Sequence, residues 1–135
     1  MNLFDLKDKI ALITGSTKGI GEAIARQFAN HGAKVVISSR KQDLCEQIKN
    51  DINTENPNSA ISIPCNINQR EQLENLVLET NKQLGDIDIL VCNAAVNPFF
   101  GSSLDIPDDA FDKILNANIK SNHWLCNLVL PQMIK

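Results

Sequence analysis

The sequence predicts an α/β fold built on a doubly wound parallel sheet, and three features predict it. Short apolar runs alternate with helix-period stretches along the whole chain, which is the pattern of successive βαβ units. A glycine-rich turn, Gly15 to Gly21, joins the first apolar run to the first helical stretch. The length and composition also suit one globular unit: 135 residues, 43% hydrophobic and 21% charged, enough to bury a core.

The elements follow in order. Ile10 to Ile13 is the first strand. The helix after the glycine turn places Ile20, Ala23, Ile24, Gln27 and Phe28 near one face, and Gly32 falls where a C-cap belongs. Val35, Val36 and Ile37 are β-branched throughout and form the second strand. A polar helix follows with Leu44 and Ile48 on its buried side, then a loop from Asn53 to Ser59 containing Pro57. Ala60 to Cys65 is the third strand. Asn68 is placed to cap the next helix, with Glu71 completing a capping-box-like pair. Leu73, Leu76, Val77 and Leu84 make that helix's apolar face, and Gly85 closes it. Asp88 to Cys92 is the fourth strand; a Pro- and Phe-containing loop leads to helical pattern from about Pro107 onward.

Right-handed crossovers and a reversal of strand order give the spatial arrangement 3-2-1-4. The expectation is a single Rossmann-type domain over residues 1–135, the N-terminal half of a full doubly wound sheet, truncated before the later strands. Strand four then has an open edge carrying Ile89, Leu90 and Val91. The last helix, with Ile119, Trp124, Leu125, Leu128 and Val129, is too apolar to cover one face only.

Composition narrows the function. A net charge of -3 argues against nucleic acid as a partner. No apolar run reaches membrane-spanning length, and the start MNLFDLKDK lacks the basic and apolar regions of a signal peptide. A cytoplasmic protein is expected. Cys45, Cys65, Cys92 and Cys126 form no CxxC pair, and His31 and His123 stand alone, so no metal site is expected. The cysteines read as small buried hydrophobes in a reducing compartment.

The turn Thr14-Gly15-Ser16-Thr17-Lys18-Gly19-Ile20-Gly21 carries the chemistry. Its GxxxGxG spacing differs from GxGxxG but meets the same physical demands. Gly15 permits the sharp turn, Gly19 lets backbone N–H groups approach a pyrophosphate, and Gly21 allows the helix to pack closely on the strand. The positive end of the helix dipole then faces the anion, with Ser16, Thr17 and Lys18 adding hydroxyls and a cation. The alternative is a glycine turn that binds nothing; its position between a strand and an amphipathic helix favours phosphate.

With Ser39-Arg40 at the end of strand two, Asn93-Ala94-Ala95 after strand four and the helical segment Asn116 to Ser121, this motif resembles the short-chain dehydrogenase/reductase family over essentially the whole chain. The run NAAVNPFFG is similar to NADP-dependent carbonyl reductases and retinol-type dehydrogenases within it. The resemblance implies a nicotinamide cofactor and a carbonyl or alcohol substrate.

Strand two decides the cofactor. An acid there hydrogen-bonds the ribose 2′-OH of NAD, and an Arg accommodates the NADP 2′-phosphate. Ser39 stands where NAD-specific members carry Asp, and Arg40 offers a paired donor fork, with Lys18 approaching from the glycine loop. NADP is expected over NAD; the alternative leaves Arg40 and Lys41 as solvated charges. The resemblance further implies that Asn66 and Ile67 flank the adenine, Asn66 supplying an amide oxygen where the family has Asp. Asn93, Ala94 and Ala95 match the family's NNAG segment, Asn93 serving either cofactor contact or backbone fixation.

The family works with an Asn-Ser-Tyr-Lys set, and Asn118 matches its Asn; a solvated surface Asn is the other reading. Ser121 and Lys120 match neither the later Ser nor Tyr-x-x-x-Lys, and the chain has no Tyr. The chain itself is therefore expected to be inactive, which leaves a non-catalytic nucleotide-binding or interaction fragment as the rival reading. By resemblance, the last helical region also forms a homo-oligomer interface.

Overall fold

A computed structural model describes residues 2–135. Four parallel strands, β1 (Ile10–Thr14), β2 (Lys34–Ser38), β3 (Ala60–Ser62) and β4 (Ile89–Val91), form one sheet in the order β3-β2-β1-β4. The expected 3-2-1-4 arrangement is observed. Ala11, Leu12 and Ile13 of β1 stand beside Val35, Val36 and Ile37 of β2 on one side and Ile89, Leu90 and Val91 of β4 on the other. Side chains alternate across a strand, so the sheet divides into two cores. Ala11, Ile13, Val35 and Ile37 face α1 (Gly19–Asn30) and α2 (Gln42–Glu55); Leu12 and Val36 face α3 (Arg70–Gln83) and the last helix. Both faces being covered is why these strands are apolar without alternation.

The helix faces differ in detail from expectation. In α1 the buried line is Gly21, Ala25 and Ala29, with Ile24 and Phe28 partly buried beside it; Ile20, Ala23 and Gln27 are exposed. Small residues win the central line because the helix must approach the sheet closely at its glycine-loop end. In α2 the inward residues are Cys45, Ile48 and Ile52, and Leu44 turns outward. Strands three and four are shorter than predicted, ending at Ser62 and Val91.

Gly32 closes α1 as expected. Its N–H donates to Ala29 O and the Ala33 N–H to Phe28 O, both at 3.0 Å, a Schellman pair that needs the positive φ of +96° seen at Gly32. The cap of α3 is a correction. The helix starts at Arg70 with Gln69 as N-cap and no side-chain cap, so Asn68 lies one residue too early. Gln72 Oε1 instead accepts the Asn66 N–H at 2.7 Å, and Asn68 is used elsewhere.

The C-terminal helical region is continuous but not uniform: α4 (Asp108–Leu115) runs into a π-helical stretch, Asn116–Lys120, and then α5 (Ser121–Ile134). Leu125 and Val129 are fully buried against α3, whereas Phe111, Leu115, Ile119, Leu130 and Ile134 are exposed. The region has two apolar faces and buries one. No helix among the described residues is long and apolar enough to cross a membrane.

Candidate functional site

The C-terminal ends of all four strands open into one cavity of about 560 Å³, at the switch point where strand order reverses, which is where doubly wound sheets bind ligands. Each expected segment contributes. Gly15, Thr17, Lys18, Gly19 and Ile20 come from the glycine loop, and Ser39 and Arg40 from the end of β2. Asn66 and Ile67 come from beyond β3, and Asn93, Ala94 and Ala95 from beyond β4.

The glycine loop divides its labour by geometry. Gly19 has φ +58° and a Cβ there would meet nothing within 4 Å, so the space above its backbone is open. The first amides of α1 have no intrahelical acceptor, and the Lys18 cap position supplies no side-chain bond to them. These donors and the helix dipole face the cavity. A Cβ on Gly21, by contrast, would lie 2.3 Å from Gly15 O; Gly21 does not line the cavity but lets the first helical turn touch the loop. Ser16 also lies outside the lining, a correction to its expected place around the anion. It is fully buried, its N–H donates to Ser38 O at 3.0 Å and its Oγ accepts the Ser38 N–H at 2.8 Å, so its hydroxyl stitches the loop to β2.

Arg40, just past β2, and Lys18, at the start of α1, line the same cavity, are exposed and enter no ion pair among the described residues. No Asp or Glu lines that cavity. The Ser39 hydroxyl accepts the Lys41 N–H at 3.3 Å and meets Cys45 Sγ at 3.4 Å.

Asn93 is committed to the backbone. Its Nδ2 donates to Thr14 O at 3.0 Å and to Gly15 O at 3.1 Å. Thr14 Oγ1 in turn accepts the N–H groups of Asn93 and Ala94, at 3.1 and 3.0 Å. Both donors of the Asn93 amide are thus spent locking the β4 end to the glycine turn. Asn66 Oδ1 likewise accepts the Asn68 N–H at 3.0 Å, so the amide oxygen expected to face adenine turns back on its own loop, with one lone pair left.

Asn118 lies in the π stretch, not on the cavity lining. Its Oδ1 accepts the Val96 N–H at 2.8 Å and its Nδ2 donates to Val96 O at 2.9 Å. This is a half-buried amide bonded through both its oxygen and its nitrogen, and the reading of a solvated Asn is set aside. Val96, which lines the cavity, is held by it.

Thr14, Leu44, Asn68 and Val96 also line the cavity, a place the sequence reading gives to none of them. Thr14 had a signal, a polar residue ending a buried parallel strand. Leu44 was hidden by the apolar period of α2. Asn68 and Val96 gave none, because their partners are distant in the chain.

Burial, with Cys45 nearby, pushes the Cys65 thiol up to about 12; burial and then Cys126 push Cys92 up to about 11. Neither is a thiolate at neutral pH.

The family model for short chain dehydrogenases matches residues 9–135. The chain belongs to this family. It is 45% identical over 130 residues to bovine dehydrogenase/reductase SDR family member 4, covering 96% of this chain and 46% of that protein. To the human protein named dehydrogenase/reductase SDR family member 2, mitochondrial, it is 43% identical, covering 95% of this chain and 45% of the relative. The chain thus spans about half the length of the curated relatives it matches.

Among solved structures, L-sorbose reductase from Gluconobacter frateurii, complexed with NADPH and L-sorbose, aligns with a TM-score of 0.91 and 25% identity, covering 96% of this chain and 49% of that one. The 3-ketoacyl-(acyl-carrier-protein) reductase from Brucella melitensis, complexed with NADH, aligns with a TM-score of 0.88 and 29% identity, covering 95% and 51%. Relatives of this fold therefore hold nicotinamide dinucleotides of both kinds. The fit of such a group here rests on the open backbone at Gly19, the uncapped start of α1 and the two unpaired cations.

Proposed function

We propose that this chain is a single nucleotide-binding domain, residues 1–135, of an NADP(H)-dependent oxidoreductase acting on a small carbonyl or alcohol compound. The observation that carries the cofactor choice is that Lys18 and Arg40, neither in an ion pair among the described residues, line one cavity with Ser39 and no Asp or Glu. A 2′-phosphate there meets two cations and no carboxylate. When bound, the nicotinamide supplies or accepts the hydride; the chain's own residues bind and orient.

In this reading the amides of Gly19, Ile20 and Gly21 and the hydroxyl of Thr17 receive the pyrophosphate, while Ser16 holds the loop in shape. Asn66 and Ile67 flank the adenine. Ala94 and Ala95 give a small-residue wall along the cofactor, kept in place by Asn93. Asn118 serves the reaction by fixing Val96. The chain has no Tyr, so a family-type proton donor is absent from it. A nucleotide-binding module without catalysis is therefore the second reading of these 135 residues.

The same reading takes the exposed apolar face of Phe111, Leu115 and Ile119 as the contact of a homo-oligomer. It assigns no nucleic acid or membrane partner and a cytoplasmic location with free cysteines; fractionation of tagged protein decides between cytoplasm and mitochondrion.

The cofactor test is Arg40→Ala. A charge-assisted hydrogen bond is worth roughly 1.5–3 kcal/mol, so NADP affinity should fall about tenfold or more while NAD affinity stays nearly unchanged. Calorimetric titration with both cofactors checks this, and equal losses for the two would refute the assignment.

A further inference from the structure

The loop that follows β3 and the helical region that carries Asn118 are joined by one side-chain bond, Asn116 Nδ2 donating to Asn68 Oδ1 at 3.1 Å. On one side the bond continues into the cavity wall. Asn66 Oδ1 accepts the Asn68 N–H at 3.0 Å, and the Asn66 N–H donates to Gln72 Oε1 at 2.7 Å, which ties the Asn66–Asn68 turn to α3. On the other side Asn116 is the first residue of the π stretch, and Asn118, two residues on, grips the Val96 backbone. A π stretch inserts backbone that the α-helical phase does not accommodate, so the direction in which Asn118 points depends on how that stretch is seated. Asn116 is the residue that seats it against the loop.

A second contact joins the helices next to them, α3 and α5. The Trp124 ring lies 5.6 Å from the Arg70 guanidinium carbon and 5.0 Å from Lys120 Nζ; Arg70 opens α3 and Lys120 closes the π stretch. The elements therefore stay docked if the amide pair is removed, and only the finer positioning is lost.

We propose that the Asn68–Asn116 amide pair is a positioning link that couples the adenine side of the cavity to the Asn118–Val96 side. Occupation of the Asn66–Ile67 turn steadies Asn68, Asn68 steadies the π stretch through Asn116, and Asn118 then holds Val96 more firmly. The link rests on the reading above that Asn66 and Ile67 flank an adenine. Coupling of this kind is reciprocal.

The test uses the 135-residue chain and adenosine 2′,5′-bisphosphate, which carries the adenine and 2′-phosphate but no nicotinamide. Hydrogen exchange is followed at the Val96 amide, the donor to Asn118, with the Leu12 amide of the central strand reporting global folding. In the wild type, saturation with the bisphosphate should slow Val96 exchange by about threefold to tenfold, the size expected for one neutral hydrogen bond. In Asn116→Ala and in Asn68→Ala, ligand-free Val96 exchange should quicken, Leu12 exchange should hold, and the ligand-induced slowing should vanish. Asn68→Asp keeps an oxygen acceptor for Asn116 and should keep the slowing. Slowing that persists in either alanine variant, or ligand-free Val96 exchange equal to wild type, overturns the link. If the wild type fails to bind the bisphosphate, the adenine-site reading and the ligand coupling both fall. The ligand-free rates then decide only whether the amide pair seats the π stretch.

Discussion

A Cβ on Gly21 would lie 2.3 Å from the Gly15 carbonyl oxygen, whereas one on Gly19 would meet nothing within 4 Å. Two glycines of one motif thus answer different demands, the first of packing within the protein and the second of room for something outside it. Gly19→Val tests this. The substitution strains a left-handed backbone, at a cost of about 1–3 kcal/mol, but its Cβ points into open space, so the variant should fold. Its branched side chain fills the space in front of the first helical amides, and NADP binding should be lost. Circular dichroism establishes folding and titration establishes binding; a folded variant with undiminished affinity would sink the phosphate-cradle reading. The amides around the cavity show the same economy. Asn93 through its Nδ2, and Asn118 through both its Oδ1 and Nδ2, bond backbone groups 22 or more residues away, so the cavity's shape is held by side chains that need not touch a ligand.

Helix α1 carries the cavity at its N-terminus and depends on its own C-terminus for registration. The Schellman turn at Gly32 ends the helix and returns the chain directly into β2, whose residue Ser38 bonds Ser16 of the glycine loop. A Cβ on Gly32 would lie 3.0 Å from Lys7 Cα and keep a φ of +96°. Gly32→Ala should destabilise the chain by about 1–3 kcal/mol, seen as a midpoint shift in urea at unchanged m-value. A midpoint equal to wild type would mean that the turn relaxes freely. At the other end of the chain, the π stretch does for Asn118 what the glycine turn does for the first amides of α1: it departs from regular helix where a polar group has to be aimed.

The whole molecule presents a sheet covered on both faces but open at β4, whose Ile89, Leu90 and Val91 are half-buried, and a C-terminal region apolar on two sides. Against the curated relatives it matches, the chain spans about half their length. Catalysis is a property at this scale, since hydride addition to a carbonyl builds negative charge on oxygen and needs a placed donor. The chain has no Tyr, the S–H groups of Cys65 and Cys92 are weak donors whose pKa is pushed further up, and His123 is paired to Asn127 on the exposed side of α5. The 135-residue chain should therefore oxidise no NADPH with aldehydes, ketones or diketones, even where it binds the cofactor. Turnover above a heat-denatured control, surviving further purification, would overturn this.

Periodicity and glycine placement made the order of elements, the strand order and the cavity's segments legible in the sequence, because those follow from local rules: alternation of apolar runs, a turn that demands glycine, a strand end that lacks an acid. The Ser39-Arg40 reading belongs to the same class, since it asks only which charge stands at a known strand end. What the tertiary structure decided was which atoms are already taken. Ser16 faces β2 and not the cavity, Asn68 bonds Asn116 and not the start of α3, Asn66 folds its oxygen inward, and Leu44 turns toward the cavity while Cys45 takes its place in the core. Ser16 and Asn68 are decided by partners 22 and 48 residues away, whereas Asn66 turns its oxygen onto Asn68 within its own loop. A polar side chain can satisfy itself in several ways at similar cost, so only the packed neighbours select one.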